Sequence, residues 1–211
     1  MRAPAGVVEI FLQPGDLYFG DRDTRIRTVL GSCVSFTFWH PGLLTGGMCH
    51  YMLPNRSTER RGASAQALDG RYADEAITML AKEIDAAGVS HREYQVKVFG
   101  GGNMFPGRSN EENHVGFKNV ETARNLVVKH GFNCVAEHLG GIGHRSVIFD
   151  VWDGQVWVKH AVIARAETDS APVRGVPDRV RNWREPEQTE SAVCNLSNRA
   201  NDRREPCAAF A

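Results

Sequence analysis

Two residues in this chain have the type and the setting to carry covalent chemistry. Cys33 stands in Thr28-Val29-Leu30-Gly31-Ser32-Cys33-Val34-Ser35, and His50 follows seventeen residues later in Gly46-Gly47-Met48-Cys49-His50-Tyr51-Met52-Leu53-Pro54. A thiol placed directly after a Gly-Ser step has little side-chain bulk over it, and an imidazole on a neighbouring strand can hold it as thiolate. Such a pair attacks a carbonyl carbon, and the imidazolium later protonates the leaving group. Gly31 permits a tight turn at Ser32 whose exposed N–H groups, that of Cys33 among them, could stabilise an oxyanion. Thr28, on the strand leading into the turn, has a hydroxyl able to accept a hydrogen bond from His50 and fix its ring.

Spacing alone leaves open a plainer reading, in which Cys33 is a small buried hydrophobe and His50 a satisfied strand residue. Cys49 is a second thiol beside His50, but alternation points it to the opposite face of the strand, toward a core. His138 and His144 flank Gly140-Gly141 and are candidates to line a pocket, against the alternative of solvated loop histidines. Gly100-Gly101-Gly102 lacks the lysine of a P-loop and the GxGxxG spacing. It reads as a tight turn that lets backbone approach the pocket, which makes Gly101 and Gly102 candidates as well.

The elements that must position these residues are short strands and two helices. Ala73, Ile77, Leu80, Ile84 and Ala87 recur along one helical face, with Asp69 as cap and Gly88 as stop. A second helix is expected from a cap at Asn119 through Val120, Ala123, Leu126 and Val127 to His130, ended by Gly131. Strand-like runs cover 7–12, 27–30, 34–39, 48–53, 95–99, 134–137, 146–151 and 155–161. In 34–39, Val34, Phe36 and Phe38 share one face while Ser35, Thr37 and Trp39 share the other. A turn bracketed by Pro41-Gly42 and Gly46-Gly47 folds 48–53 back antiparallel, which sets Cys33 and His50 on adjacent strands, and Asp153-Gly154 turns the last pair. The pattern is α+β.

Composition narrows the class. The chain has 211 residues, 42% hydrophobic and 24% charged, enough for one well-cored domain over 1–166. After Ala166 the residues are rich in proline, arginine and acids with almost no apolar periodicity, so 167–211 reads as a mobile tail. The polar loop 55–68 reads as flexible and exposed. Equal numbers of basic and acidic side chains, 25 each, give no field that favours nucleic acid. No apolar run is long enough to insert in a membrane, and the N-terminal residues lack the core of a secretory signal, so a cytoplasmic protein is expected. Five cysteines without repeated spacing argue for reduced thiols, and no Cys-x-x-Cys or His-x-x-x-His pair suggests a metal site.

Taken together, several motifs resemble those of the CheD family of chemoreceptor glutamine deamidases. They are Thr28-Val29-Leu30-Gly31-Ser32-Cys33-Val34, then Met48-x-His50-x-Met52-Leu53-Pro54, with Pro14-Gly15-Asp16 before them. Arg71-Tyr72-Ala73-Asp74-x-Ala76-Ile77, Phe99-Gly100-Gly101-Gly102-x-Met104 and Leu139-Gly140-Gly141 with Gly143-x-Arg145 follow in the same order. The resemblance spans about residues 7 to 162. It implies a single α+β domain of packed β-sheets with helices on the outside, and a catalytic set of Cys33, His50 and Thr28. It further implies deamidation of glutamine side chains on methyl-accepting chemoreceptors through a thioester, hydrolysis of glutamyl methyl esters by the same route, and no cofactor or metal. The implied partners are the cytoplasmic helices of those receptors and a CheC-type phosphatase. Two alternatives stand beside this: a non-enzymatic adaptor that docks on receptors or on such a phosphatase, and a general cysteine protease.

Overall fold

Alternation in the short apolar runs and a 3.6-residue period in two longer ones decide the elements, and a sandwich results because each sheet has a face to bury. The computed structural model describes residues 3–56, 67–107 and 114–162, together with the backbone of Val193–Leu196. One sheet has the order β1-β3-β8-β9-β10, from Val8–Phe11, Thr24–Leu30, His144–Asp150, Gln155–Ala161 and Val193–Leu196. The other has the order β2-β5-β4-β6-β7, from Leu17–Gly20, Thr45–Cys49, Val34–His40, Gln95–Gly100 and Asn133–Leu139. Helices α1, Ala73–Ala86, and α2, Val115–His130, pack on the second sheet.

Two apolar layers follow from the alternation read in β4. Val34, Phe36 and Phe38 pack with Ile77, Leu80, Ile84, Ala123 and Leu126 of the helices. Trp39, from the opposite face of β4, joins Met48, Phe99, Ile26, Leu30, Val147 and Phe149 between the sheets. Fully burying one such aromatic or branched side chain contributes about 1.5–3 kcal/mol, so the side-to-side alternation fixes the register of both sheets. The α+β architecture of packed sheets with outer helices is as expected, with both helices on one side only.

Several boundaries differ from the sequence reading. Helix α2 begins at Val115, because the cap is His114 and not Asn119: His114 Nδ1 accepts the Phe117 N–H at 3.1 Å, five residues earlier than expected. Asp69 does not cap α1. Its carboxylate pairs with Arg71, and Tyr72 occupies the cap position without a side-chain bond. The stops hold, with Gly88 at φ +73° and Gly131 at φ +63°. Strand β5 ends at Cys49, after which only isolated bridges from Tyr51 to Val34 and from Leu53 to Tyr72 continue the pairing. Most of the loop 55–68 lies outside the described residues, as does the tail 167–211 except for β10, which pairs antiparallel with β9.

Candidate active site

Cys33 sits one residue before β4 and His50 one residue after β5, so both lie at the end of the sandwich where these strands part. The bridge between them is Val34 with Tyr51, made by Val34 N–H to Tyr51 O at 3.1 Å and Tyr51 N–H to Val34 O at 3.0 Å. Val34 and Tyr51 turn toward the helices, and alternation turns Cys33 and His50 to the inter-sheet side. They are diagonal neighbours across the Val34–Tyr51 bridge, a position where Cα atoms of an antiparallel pair lie about 7–8 Å apart. The hairpin expected from the sequence forms between β4 and β5, and the two residues stand at its open end.

The turn from Gly31 to Cys33 is held by its carbonyls. Gly102 N–H donates to Gly31 O and Gly101 N–H to Cys33 O, each at 2.8 Å, and Asn119 Nδ2 donates to Ser32 O at 2.9 Å. Gly100 lies at φ +115°, and a Cβ on it would fall 2.2 Å from Cys33 O, so only glycine allows this close approach. Gly101 and Gly102 therefore serve as scaffold for the turn, their N–H groups being taken up by it. The N–H groups of Ser32 and Cys33 donate to no backbone carbonyl among the described residues, which leaves them as the oxyanion candidates. Cys33 is half-buried and reaches the surface.

His50 is 3% exposed and Thr28 is 2% exposed on the facing sheet. Thr28 Oγ1 lies 2.8 Å from His50 Nδ1 and 2.8 Å from Leu12 O. Three polar atoms in mutual contact need two protons between them. The hydroxyl supplies one to Leu12 O, so the other belongs to Nδ1, which donates to Oγ1. This puts the proton on Nδ1 and leaves Nε2 as the basic nitrogen; it is buried with no hydrogen-bond partner among the described residues. A bond from β3 to the residue that follows β5 thus favours one tautomer.

Burial sets the electrostatics of the pair. It pushes the Cys33 thiol above its ordinary value, with a smaller opposing effect from its own backbone. It pushes the His50 imidazole below its ordinary value, opposed by the Leu12 carbonyl and the Asp16 carboxylate. Both shifts favour neutral forms, whereas the sequence reading has the imidazole holding a thiolate at rest. For the imidazole, burial outweighs the opposing effect of the Asp16 carboxylate, and for the thiol no cation offsets it.

The remaining candidates fall elsewhere. Cys49 is fully buried in the helix-side core, and burial pushes its thiol up to about 12. His138, at the end of edge strand β7, accepts from Arg145 Nε at 2.7 Å and stacks edge-on with His160. His144 opens β8; Arg145, 1% exposed, is on its inner face, so alternation sends His144 outward, away from Thr28 and His50. A cavity of about 450 Å³ lies on the helix side of the glycine turn, bounded by Gly101, Asn103, His114, Phe117 and Ile142, and neither Cys33 nor His50 lines it. Among the described residues, no group of three His, Cys, Asp or Glu side chains is arranged to hold a metal ion.

The sequence reading missed Leu12, Asn119 and Arg145. Leu12 acts through its carbonyl, which no residue type could reveal. Asn119 looks like a helix cap by type but is wholly buried within α2. Arg145 was visible only as part of a motif; its guanidinium donates to His138 and to Gly140 O, tying β7 to β8 beneath the glycine turn.

Comparison with known proteins bears on what such a site does. A family model described as CheD chemotactic sensory transduction matches residues 52–160. A probable chemoreceptor glutamine deamidase CheD of Pseudomonas syringae pv. tomato is 48% identical over 172 residues, covering 81% of this chain and 99% of the relative. A probable chemoreceptor glutamine deamidase CheD 3 of Dechloromonas aromatica is 45% identical over 169 residues, 80% of this chain and 97% of the relative. One from Leptospira interrogans, CheD 1, is 38% identical over 165 residues, 74% and 95% of the two chains.

Proposed function

This chain belongs to the CheD family, and on that premise we propose that it deamidates glutamine side chains of methyl-accepting chemoreceptors, with Cys33 as nucleophile, His50 as base and acid, and Thr28 orienting the imidazole. The observation that carries this reading is the contact of Thr28 Oγ1 with both His50 Nδ1 and Leu12 O, because it leaves Nε2 unprotonated and without a partner among the described residues, at the end of the sheet where Cys33 also stands.

The steps follow from the neutral pair. As sulfur attacks the carboxamide carbon, its proton passes to Nε2, and Thr28 holds the Nδ1–H of the imidazolium that forms. The N–H groups of Ser32 and Cys33 receive the developing oxyanion. Collapse of the tetrahedral adduct breaks the C–N bond, Nε2 returns the proton to nitrogen, and ammonia leaves a glutamyl thioester. Water then attacks the thioester carbon while giving a proton to Nε2. The second collapse expels sulfur, which regains that proton, and glutamate is released. A glutamyl methyl ester follows the same path with methanol as leaving group.

A half-buried sulfur at the surface suits a side chain that projects from a helix, so the substrate is the receptor's cytoplasmic helical region. A cytoplasmic location follows from that substrate, and a CheC-type phosphatase completes the proposed partners. We extend the proposal to domain limits of 1–166 for the catalytic domain and 167–211 for a tail. Ammonia release from a purified receptor fragment, followed with the native protein and with Cys33→Ala, tests the reading. Loss of release in the variant is expected; equal release by both sinks the assignment.

A further inference from the structure

The pair of functional segments is joined by a single buried side chain that the reaction itself does not use. Asn119 is 0% exposed in the interior of α2. Its Nδ2 donates to Ser32 O at 2.9 Å and to Met52 O at 2.8 Å. Ser32 immediately precedes Cys33, and Met52 lies two residues beyond His50. The residue between His50 and Met52 is fastened to the same point of the helix, because the Tyr51 hydroxyl donates to Asn119 O at 2.8 Å.

This arrangement has a cost that ordinary packing does not explain. A carboxamide offers two donors and one acceptor, and here the two carbonyls take both hydrogens. Oδ1 is left buried with no hydrogen-bond partner among the described residues. Flipping the amide would set Oδ1 against two carbonyl oxygens, so the orientation is fixed and the orphan acceptor comes with it. Asparagine also brings no helix-forming advantage to a helix interior. Beyond β4 and β5, the Val34–Tyr51 bridge is the backbone link between the segments, and strands that part at a sheet end splay readily unless pinned.

We infer that Asn119 is a positioning residue: its side-chain amide pins the Ser32–Cys33 turn to the His50–Met52 segment and so sets the separation of sulfur and Nε2. The inference rests on the Cys33–His50 reading above. Removing the clamp lets the diagonal pair drift while the substrate surface around Cys33 is unchanged. The effect therefore falls on kcat and not on KM, and a displacement of about 1 Å between reacting groups costs on the order of 100-fold.

The test compares Asn119→Ala, Asn119→Asp, Leu126→Ala and Cys33→Ala, each full length, by ammonia release from a receptor fragment and by thermal melting. Asn119→Asp keeps the shape but turns an oxygen toward Ser32 O and Met52 O, and it is read in the same way should the alanine variant melt below the assay temperature. Leu126 packs from the same helix into the apolar core, so Leu126→Ala reports simple loss of helix packing. A fall of about 100-fold in kcat for both Asn119 variants, with KM within twofold and with Leu126→Ala near native kcat, is expected. Native kcat in folded Asn119 variants, with Cys33→Ala inactive, overturns the positioning role alone. An equal kcat loss in Leu126→Ala overturns it too, by reducing the effect to stability. Full activity of Cys33→Ala removes the underlying reading, and the inference with it.

Discussion

Replacing Thr28 by valine preserves shape at a 2% exposed position and deletes one oxygen, which isolates what that oxygen does. In the native protein Oγ1 receives the Nδ1–H of His50 at 2.8 Å and donates to Leu12 O at 2.8 Å. During attack the imidazole becomes an imidazolium, so the bond to Oγ1 turns into one with a charged donor, worth about 1.5–3 kcal/mol. Losing it raises the barrier by that amount and lowers kcat by roughly 10- to 150-fold. KM stays close to native, because Thr28 is buried behind the imidazole and does not meet substrate. In the ground state, Leu12 O and Nδ1–H are both left unpaired, which destabilises the fold by about 1–3 kcal/mol. At roughly 2–4 °C per kcal/mol for a chain of this size, the melting point falls by about 2 to 12 °C. Thr28→Ser keeps the hydroxyl, and its kcat is expected within about fivefold of native, since one retained hydrogen bond accounts for most of the effect. Ammonia release measured on both variants, at a temperature where circular dichroism shows them folded, checks this. Native kcat in folded Thr28→Val would refute the argument that this hydroxyl orients the base.

Further outcomes follow from burial and charge. Because His50 in the folded protein lies below the ordinary imidazole value, the acid limb of kcat/KM falls with a midpoint under pH 6.5, and a midpoint above 7 contradicts a buried neutral base. The same depression means that the unfolded chain takes up the proton first, so the stability His50 contributes is present above about pH 6.5 and is lost as pH falls through its folded value. Iodoacetamide labels Cys33 in the folded protein and spares Cys49, with a Cys33 rate that keeps climbing above pH 9; a labelling midpoint well below that of a free thiol would show a preformed ion pair instead. Lys97 is buried between the sheets with its value lowered from 10.5 to about 8, so the melting point rises with pH across that window, and Lys97→Met removes the rise.

The parts of this fold that were legible in the sequence are those where one residue's type determines one face. Val34, Phe36 and Phe38 against Ser35, Thr37 and Trp39 marked β4 and its two sides, and Gly88, Gly131 and Gly154 marked stops and a turn through their left-handed backbone. Strand β2 escaped notice because all four of its residues are half-buried, which removes the alternation that betrays a strand. The start of α2 was displaced because asparagine commonly caps helices while histidine seldom does, yet here His114 caps and Asn119 points at the sheet. At the candidate site, type, spacing and the surrounding motifs single out Cys33, His50 and Thr28, and the structure joins two of them, Thr28 Oγ1 to His50 Nδ1. The burial that disfavours charge on Cys33 and His50 is not legible in the sequence, since it depends on how deeply the two sheets enclose them. Contacts made through carbonyls, at Leu12, Ser32 and Met52, leave no trace in residue identity at all.

The central claim is that a covalent bond forms between Cys33 and the glutamine carbon. Acid quenching of the native protein during turnover of a receptor fragment, followed by peptide mapping in a mass spectrometer, reads that bond directly. The account predicts an adduct on the Cys33 peptide equal in mass to the receptor peptide less one ammonia, absent from Cys33→Ala. Steady release of ammonia with no adduct in the native protein, and undiminished by that substitution, would contradict it.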